Sequence, residues 1–216
     1  MLLEKINKKE AKVAVIGLGY VGLPMAVTVA RKGYQVTGID VSKFCVENVN
    51  KGKNYIGDVD DNEMRKLVEN GMLKATHDYS VIKDIDVIMI AVPTPLDKYH
   101  QPDSSYIKAS TNSLAQHLKK DTLVVLESTT YPGTTEEIIV KKFKEMGFEA
   151  GKDVYVAFSP ERVDPGNLQY KTHNTPKVVG GVTEKCNQIS KKFYEMILDA
   201  EVYLVSSPAV AEMEKI

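Results

Sequence analysis

At 216 residues with 43% hydrophobic content, the chain can bury one sizeable α/β core, with a small appendage at most. Lys and Arg total 28 against 29 Asp and Glu, so the chain lacks the basic excess of a nucleic-acid-binding domain, and any anion site has to be local. Cys45 and Cys186 lie far apart and outside any CxxC pair, which speaks against a disulfide or metal framework.

The first informative segment is an apolar run, Val13 to Ile16, followed by Gly17-Leu18-Gly19-Tyr20-Val21-Gly22 and a helix-like run from Pro24 to Arg31. Val13 to Ala30 carries no charge and follows the lysine-bearing Met1 to Lys12, the outline of a signal peptide or a membrane span. Three glycines and Pro24 instead divide it into a short strand, a turn and a helix that stops at Gly33. A soluble, cytoplasmic protein with no membrane partner is expected.

In that division each glycine has its own steric task. Gly17 permits the tight turn, Gly19 lets the backbone approach a pyrophosphate, and Gly22 lets helix and strand pack closely, while the helix N-terminus faces the anion. A lone GxGxxG is weak evidence; a strand before it, a helix after it and Asp40 closing the next apolar stretch make it a dinucleotide-binding βαβ unit. The Asp40 carboxylate can accept both ribose hydroxyls of NAD and would repel a 2′-phosphate, and Val41-Ser42-Lys43 supplies no arginine to offset that. NAD is therefore expected over NADP; the plainer alternative is that Asp40 caps the next helix. Gly17, Gly19, Tyr20, Val21, Gly22, Asp40 and Lys43 are the cofactor-binding candidates of this region.

Strands and helices alternate through the rest. Strands are predicted at Val13 to Ile16, Gln35 to Ile39, Leu73 to Thr76, Asp86 to Val92, Thr122 to Glu127, Val154 to Phe158, Lys177 to Val179 and Val202 to Val205. Further helices are predicted at Ser42 to Lys51, Asp61 to Asn70, Tyr106 to Lys119, Thr134 to Met146 and Glu184 to Leu198, several followed by glycine. The pattern implies an α/β, doubly wound, mostly parallel, Rossmann-like sheet of about eight strands. Residues 1–206 would form this domain. From 207 onward, with Ser207 as cap and Pro208 near the first position, the chain reads as the start of a long connecting helix.

Open parallel sheets bind ligands at the carboxyl ends of their strands, and three loops there are unusual. Pro93-Thr94-Pro95 stiffens the backbone beside the expected cofactor crevice, adding Pro93 and Thr94 to the candidates; a plain rigid turn fits equally well. Glu127 to Thr135 is rich in hydroxyls and enters a helix for which Thr134 or Thr135 is the expected N-cap. Ser159 to Pro176 is long for a connection, as functional loops are. Within it Glu161 stands just past a buried strand, where partial desolvation would suit it to proton transfer; the alternative is an ion pair with a nearby base.

Gly17-Leu18-Gly19-Tyr20-Val21-Gly22-Leu23-Pro24, Val92-Pro93-Thr94-Pro95-Leu96-Asp97, Ser128-Thr129, Ser159-Pro160-Glu161-Arg162 and Ala211-Glu212-Met213-Glu214-Lys215 occur in this order along essentially the whole chain. Together they resemble the UDP-sugar 6-dehydrogenases. Pro160-Glu161-Arg162 with Pro165-Gly166-Asn167 resembles the branch acting on UDP-N-acetylhexosamines, whereas the UDP-glucose branch typically has Pro-Glu-Phe-Leu. The resemblance implies oxidation of the sugar C6 alcohol to a carboxylate with two NAD, through an enzyme-bound thioester and without a metal. By position, Thr129 would hold a catalytic water and contact the cofactor, Glu161 would assist proton transfer during thioester hydrolysis, and Lys215 would stabilise an oxyanion. Glu161, Arg162, Val163 and Lys215 would contact the UDP-sugar.

Two departures bear on these roles: Pro165 stands where the UDP-glucose branch has a second glutamate, and Glu127 where that branch often has lysine. The family's thioester-forming cysteine lies well beyond the lysine helix, so residues 1–216 read as an N-terminal part that binds NAD but is inactive alone. The parent enzyme is expected to dimerise through the missing region. Three other readings stay open: a UDP-glucose 6-dehydrogenase, a standalone NAD-binding module, and a β-hydroxyacid dehydrogenase, whose Rossmann domain also joins a long helix.

Overall fold

Strand β1 (Val13–Ile16) is buried along its whole length, and its side chains divide between two cores: Val13 and Val15 pack on one face of the sheet, Ala14 and Ile16 on the other. A strand covered on both faces reads as a continuous apolar run, as parallel strands do. The computed structural model describes residues 1–96, 98–161, 167 and 169–215.

In chain order the elements are α1 (Leu2–Lys8), β1, α2 (Gly22–Arg31), β2 (Val36–Ile39), α3 (Lys43–Asn50), α4 (Asp61–Glu69), β3 (Leu73–Thr76) and β4 (Val87–Ile90). There follow α5 (Ser105–Ala115), β5 (Thr122–Leu126), α6 (Lys141–Glu145), β6 (Val154–Phe158), β7 (Lys177–Gly181), α7 (Glu184–Ile197), β8 (Val202–Val205) and α8 (Pro208–Glu214). The eight strands lie in the order β3-β2-β1-β4-β5-β6-β7-β8. β1 to β6 are mutually parallel, so the chain reverses direction across the sheet between β1 and β4, the switch point where such sheets bind ligands. β7 runs antiparallel to β6, and β8 is parallel to β7.

All eight expected strands form, with ends moved by a residue or two. The fourth contracts to Val87–Ile90, because Ala91 and Val92 leave the ladder ahead of Pro93. Several helix starts follow the caps: Ser42, Asp60, Thr183 and Ser207 each accept a backbone N–H three residues on. The segment after β5 corrects one expectation. Thr134 takes the N-cap position, but its side chain accepts no backbone N–H there, and Thr135–Val140 winds as a π-helical stretch before α6. Its first N–H groups are met from afar: the fully buried Glu212 carboxylate of α8 accepts from the backbones of Gly133 (2.5 Å) and Thr135 (2.9 Å) and from the Thr135 hydroxyl (2.6 Å). An acidic side chain suits a helix N-terminus whether it comes from the same segment or another.

The amino-terminal helix α1 carries no apolar periodicity strong enough to announce it, and it is held by tertiary contacts. Leu2 and Ile6 are buried, the Tyr34 hydroxyl donates to the Ile6 carbonyl at 2.8 Å, and burial pushes that hydroxyl's pKa up to about 12. Asp86 is the electrostatic anchor. Its carboxylate accepts from Lys5 (2.8 Å), Lys119 (2.9 Å) and the Lys12 backbone (3.0 Å). Burial opposes its charge, but these donors prevail and hold the carboxyl below the usual aspartate range. A lowered carboxylate pKa contributes stability above the unfolded value and loses it as pH falls through the folded one. Asp86→Asn is therefore expected to destabilise the chain by about 1–3 kcal/mol at neutral pH, with the gap to the parent closing in acid, as urea denaturation across pH would show.

Candidate functional site

The loops at the carboxyl ends of β1, β2, β4, β5 and β6 surround one cleft of about 660 Å³. Gly17 and Gly22 shape its entrance. Gly17 has φ +90°, and a Cβ there would lie 2.5 Å from the Ala91 carbonyl oxygen; a Cβ on Gly22 would lie 1.7 Å from the Gly17 oxygen. These contacts press the start of α2 against β1 and β4. Gly19, in contrast, faces open space: nothing stands within 4 Å of where its Cβ would be, so the backbone offers an uncovered cradle for a ligand. The N–H groups of a helix's first turn lack partners within the helix, so the cradle and the start of α2 together suit a diphosphate.

Gly17, Gly19, Tyr20, Val21, Asp40, Pro93 and Thr94 line this cleft, as do Thr129, Glu161 and Lys215. Gly22 packs behind the turn. Lys43 is placed elsewhere: its side chain is 84% exposed and pairs with Glu47 within α3 at 3.6 Å. Arg162 and Val163 lie outside the described residues. Asp40 ends β2 with one carboxylate oxygen 2.6 Å from the Leu18 N–H and the other 2.7 Å from the Ser42 N–H. Ser42 rather than Asp40 caps α3, so Asp40 holds the glycine turn and presents its remaining lone pairs to the cleft.

Toward β5 and β6 the cleft becomes polar. The Ser128 hydroxyl donates to the Val92 carbonyl at 2.8 Å and ties the β5 loop to the β4 loop, while Thr129 beside it is exposed. Glu161 is 7% exposed, and its backbone carbonyl accepts from the Lys215 ammonium just past α8. Its carboxylate lies 2.9 Å from Lys177. Both uses foreseen for Glu161 thus begin from one geometry: it is ion-paired, and it lines the cleft.

Lys177, Glu127 and Tyr194 were not among the expected site residues. Lys177 and Glu127 are 2.5 Å apart, and the Tyr194 hydroxyl donates to the second oxygen of Glu127. All three are buried. Burial pushes the Glu127 carboxyl above the ordinary glutamate value in spite of Lys177, and Glu161 adds to the push. Burial works against the Lys177 charge, but Glu127 and Glu161 outweigh it and hold the ammonium above the usual lysine value. Burial likewise raises Tyr194 well above an ordinary phenol. A lysine opening an apolar strand was the available signal.

Cys45 lines the cleft among the residues after β2, and Cys186 is fully buried, its sulfur accepting from the Val156 N–H at 3.4 Å. Among the described residues no helix is long and apolar enough to cross a membrane.

The sequence description of the UDP-glucose/GDP-mannose dehydrogenase family, NAD binding domain, matches residues 11–198. The chain belongs to this family. It is 36% identical over 208 residues to the UDP-N-acetyl-D-glucosamine 6-dehydrogenase of Salmonella typhi, a match covering 96% of this chain and 48% of that protein. The solved UDP-D-ManNAc dehydrogenase of Pyrococcus horikoshii superposes with a TM-score of 0.88 at 33% identity, over 94% of this chain and 49% of the other. A UDP-glucose dehydrogenase of Pyrobaculum islandicum gives a TM-score of 0.84 at 27% identity, over 95% and 48%. The chain spans about half the length of the curated relatives it matches.

As the NAD-binding domain of a UDP-glucose/GDP-mannose dehydrogenase family member, the chain is expected to bind NAD more tightly than NADP. Asp40→Ala should weaken NAD by roughly 1–3 kcal/mol, since it removes a charged hydrogen-bonding partner and the pin on Leu18. Titration calorimetry with both nucleotides checks this, and equal or tighter NADP binding would refute the role given to Asp40.

Proposed function

We propose that the protein carrying this domain is an NAD-dependent UDP-N-acetylhexosamine 6-dehydrogenase that oxidises the sugar C6 alcohol to a carboxylate through a covalent thioester. The observation that carries this is the continuity of the cleft: the glycine turn and Asp40 share one 660 Å³ space with Thr129, Glu161 and Lys215. The N-acetylhexosamine enzymes among the relatives and the Pro160-Glu161-Arg162 sequence favour an N-acetylated sugar. UDP-glucose is the second reading, kept by the likeness to a UDP-glucose dehydrogenase.

NAD, when bound, supplies the hydride acceptor. The chain's own residues then have separable tasks. The turn Gly17 to Gly22 and the start of α2 hold the diphosphate, and Asp40 holds the ribose. Thr129, exposed at the cleft wall, positions a water. Glu161 takes the proton from that water as it attacks the thioester, and Lys215, whose ammonium donates to the Glu161 carbonyl, steadies negative charge on the oxygen under attack. The thiol is assigned to neither Cys45 nor Cys186, because one lines the Asp40 end of the cleft and the other is sealed beneath the sheet. It comes from a part of the enzyme outside these residues, which also completes the sugar site and the dimer. A cytoplasmic location, where nucleotide sugars and NAD meet, belongs to the same proposal.

The test is oxidation of UDP-N-acetylglucosamine, UDP-N-acetylmannosamine, UDP-N-acetylgalactosamine and UDP-glucose by the full-length protein, with NADH and uronic acid both measured. Preference for UDP-glucose would replace the proposal by the second reading.

A further inference from the structure

The reversal of β7 has a chemical consequence. In a wholly parallel sheet the first residue of a strand lies at the edge away from the ligand cleft. β7 runs against β6, with Phe158 paired to Gly180 and Ala157 to Gly181, so its first residue, Lys177, lies at the cleft edge instead. The same register, continued past the end of the ladder, brings Lys177 opposite Glu161, and their side chains meet at 2.9 Å. The ammonium donates hydrogen bonds to Glu127 Oε2 at 2.5 Å and to the Pro160 carbonyl at 3.3 Å, and it is ion-paired with Glu161 Oε2 at 2.9 Å. The Tyr194 ring lies 5.5 Å from the same nitrogen, and its hydroxyl holds the other oxygen of Glu127.

Glu127 and Glu161 both line the cleft, whereas Lys177 stands behind them, 3% exposed and off the cleft wall. It cannot reach a ligand except through those carboxylates. We propose that Lys177 is the positioning residue of this site: clamped by Glu127, Tyr194 and the Pro160 carbonyl, it fixes the carboxylate of Glu161 at the cleft floor and divides its charge between two acids, so that Glu127 tunes the proton affinity of Glu161. This rests on Glu161 being the proton acceptor of the proposed reaction. Among the described residues, the charged and titratable groups facing Lys177 and Glu161 come from four elements: Glu127 after β5, Glu161 after β6, Tyr194 of α7, and Lys215 after α8. Because Glu127 and Glu161 compete for one ammonium, they titrate as a coupled pair, and removing either charge moves the other's midpoint down.

The first arm of the test needs no reaction. In the 216-residue chain labelled with ¹⁵N-lysine, a buried, ion-paired ammonium should give a slowly exchanging signal at neutral pH, and that signal should move in both Glu161→Gln and Glu127→Gln. With ¹³C-labelled glutamate carboxyls, the Glu127 midpoint should fall by about one pH unit in Glu161→Gln. An ammonium signal unmoved by Glu161→Gln, or an unmoved Glu127 midpoint, overturns the proposal. Glu127→Gln keeps the shape and the Tyr194 contact, so the test needs no variant of Lys177 itself.

The second arm uses the full-length enzyme. Glu127→Gln should move the rising limb of the pH profile for acid release to lower pH by about one unit, with KM for NAD changed less than twofold. A role in folding alone would lower the active fraction without displacing the profile, and that result also overturns the proposal. If the full-length enzyme oxidises no UDP-sugar, the functional reading fails, and the first arm alone decides the arrangement around Lys177.

Discussion

In the full-length enzyme, Glu161→Gln is expected to leave the first hydride transfer intact and to slow release of the acid by roughly 10²–10⁴-fold, the usual worth of a positioned general base. Glutamine keeps the shape of the side chain but cannot take a proton, so the oxidised sugar should accumulate as a thioester on the enzyme. The amide oxygen can still face the Lys177 ammonium, and the Lys215 contact is to the backbone carbonyl, so the side chain stays in place although the ion pair is lost. Intact-protein mass spectrometry after mixing with UDP-N-acetylhexosamine and NAD reads the adduct directly. Hydrolysis at the parent rate with no adduct would reduce Glu161 to the structural partner of Lys177.

Lys177→Met should cost the fold about 3–5 kcal/mol, the range found when one member of a buried ion pair is removed and its partner is left uncompensated. The buried Glu127 carboxyl would have to shed its charge, which its raised pKa already favours. The sign of the pH dependence follows from two raised values. A group whose folded pKa lies above its unfolded one stabilises below the unfolded pKa and loses that contribution as pH climbs through the folded one. Glu127 therefore withdraws stability as pH rises past the ordinary glutamate range, and Lys177 withdraws its own only above the usual lysine range. Urea denaturation should show the parent weakening across the first interval and Glu127→Gln flattening that part of the curve. A Lys177→Met variant as stable as the parent would mean that water reaches this cluster.

The NAD half of the site was legible because its determinants are local. Gly17, Gly19, Gly22 and Asp40 act through backbone geometry within one βαβ unit, and the order of strand, glycine turn, helix and acid states that geometry in sequence. The loops after β4 and β5 were legible as punctuation, although nothing in the sequence says that the Ser128 hydroxyl ties one to the other. What remained hidden depends on pairing between distant segments. The reversal of β7 leaves no mark in its composition, so Lys177 read as the foot of one more parallel strand when it sits at the top. Glu212, read only as part of a motif, turns out to cap a helix that begins nearly eighty residues earlier, at an end where Thr134 and Thr135 look like ordinary caps. Lys43, close to Asp40 in sequence, starts α3 with its exposed side chain paired to Glu47.

The most direct measurement is the stoichiometry of oxidation by the full-length enzyme given limiting UDP-N-acetylhexosamine and excess NAD. The proposed function predicts two NADH and one uronic acid per sugar consumed, faster than with UDP-glucose. One NADH per sugar with release of an aldehyde, or oxidation confined to UDP-glucose, would contradict it.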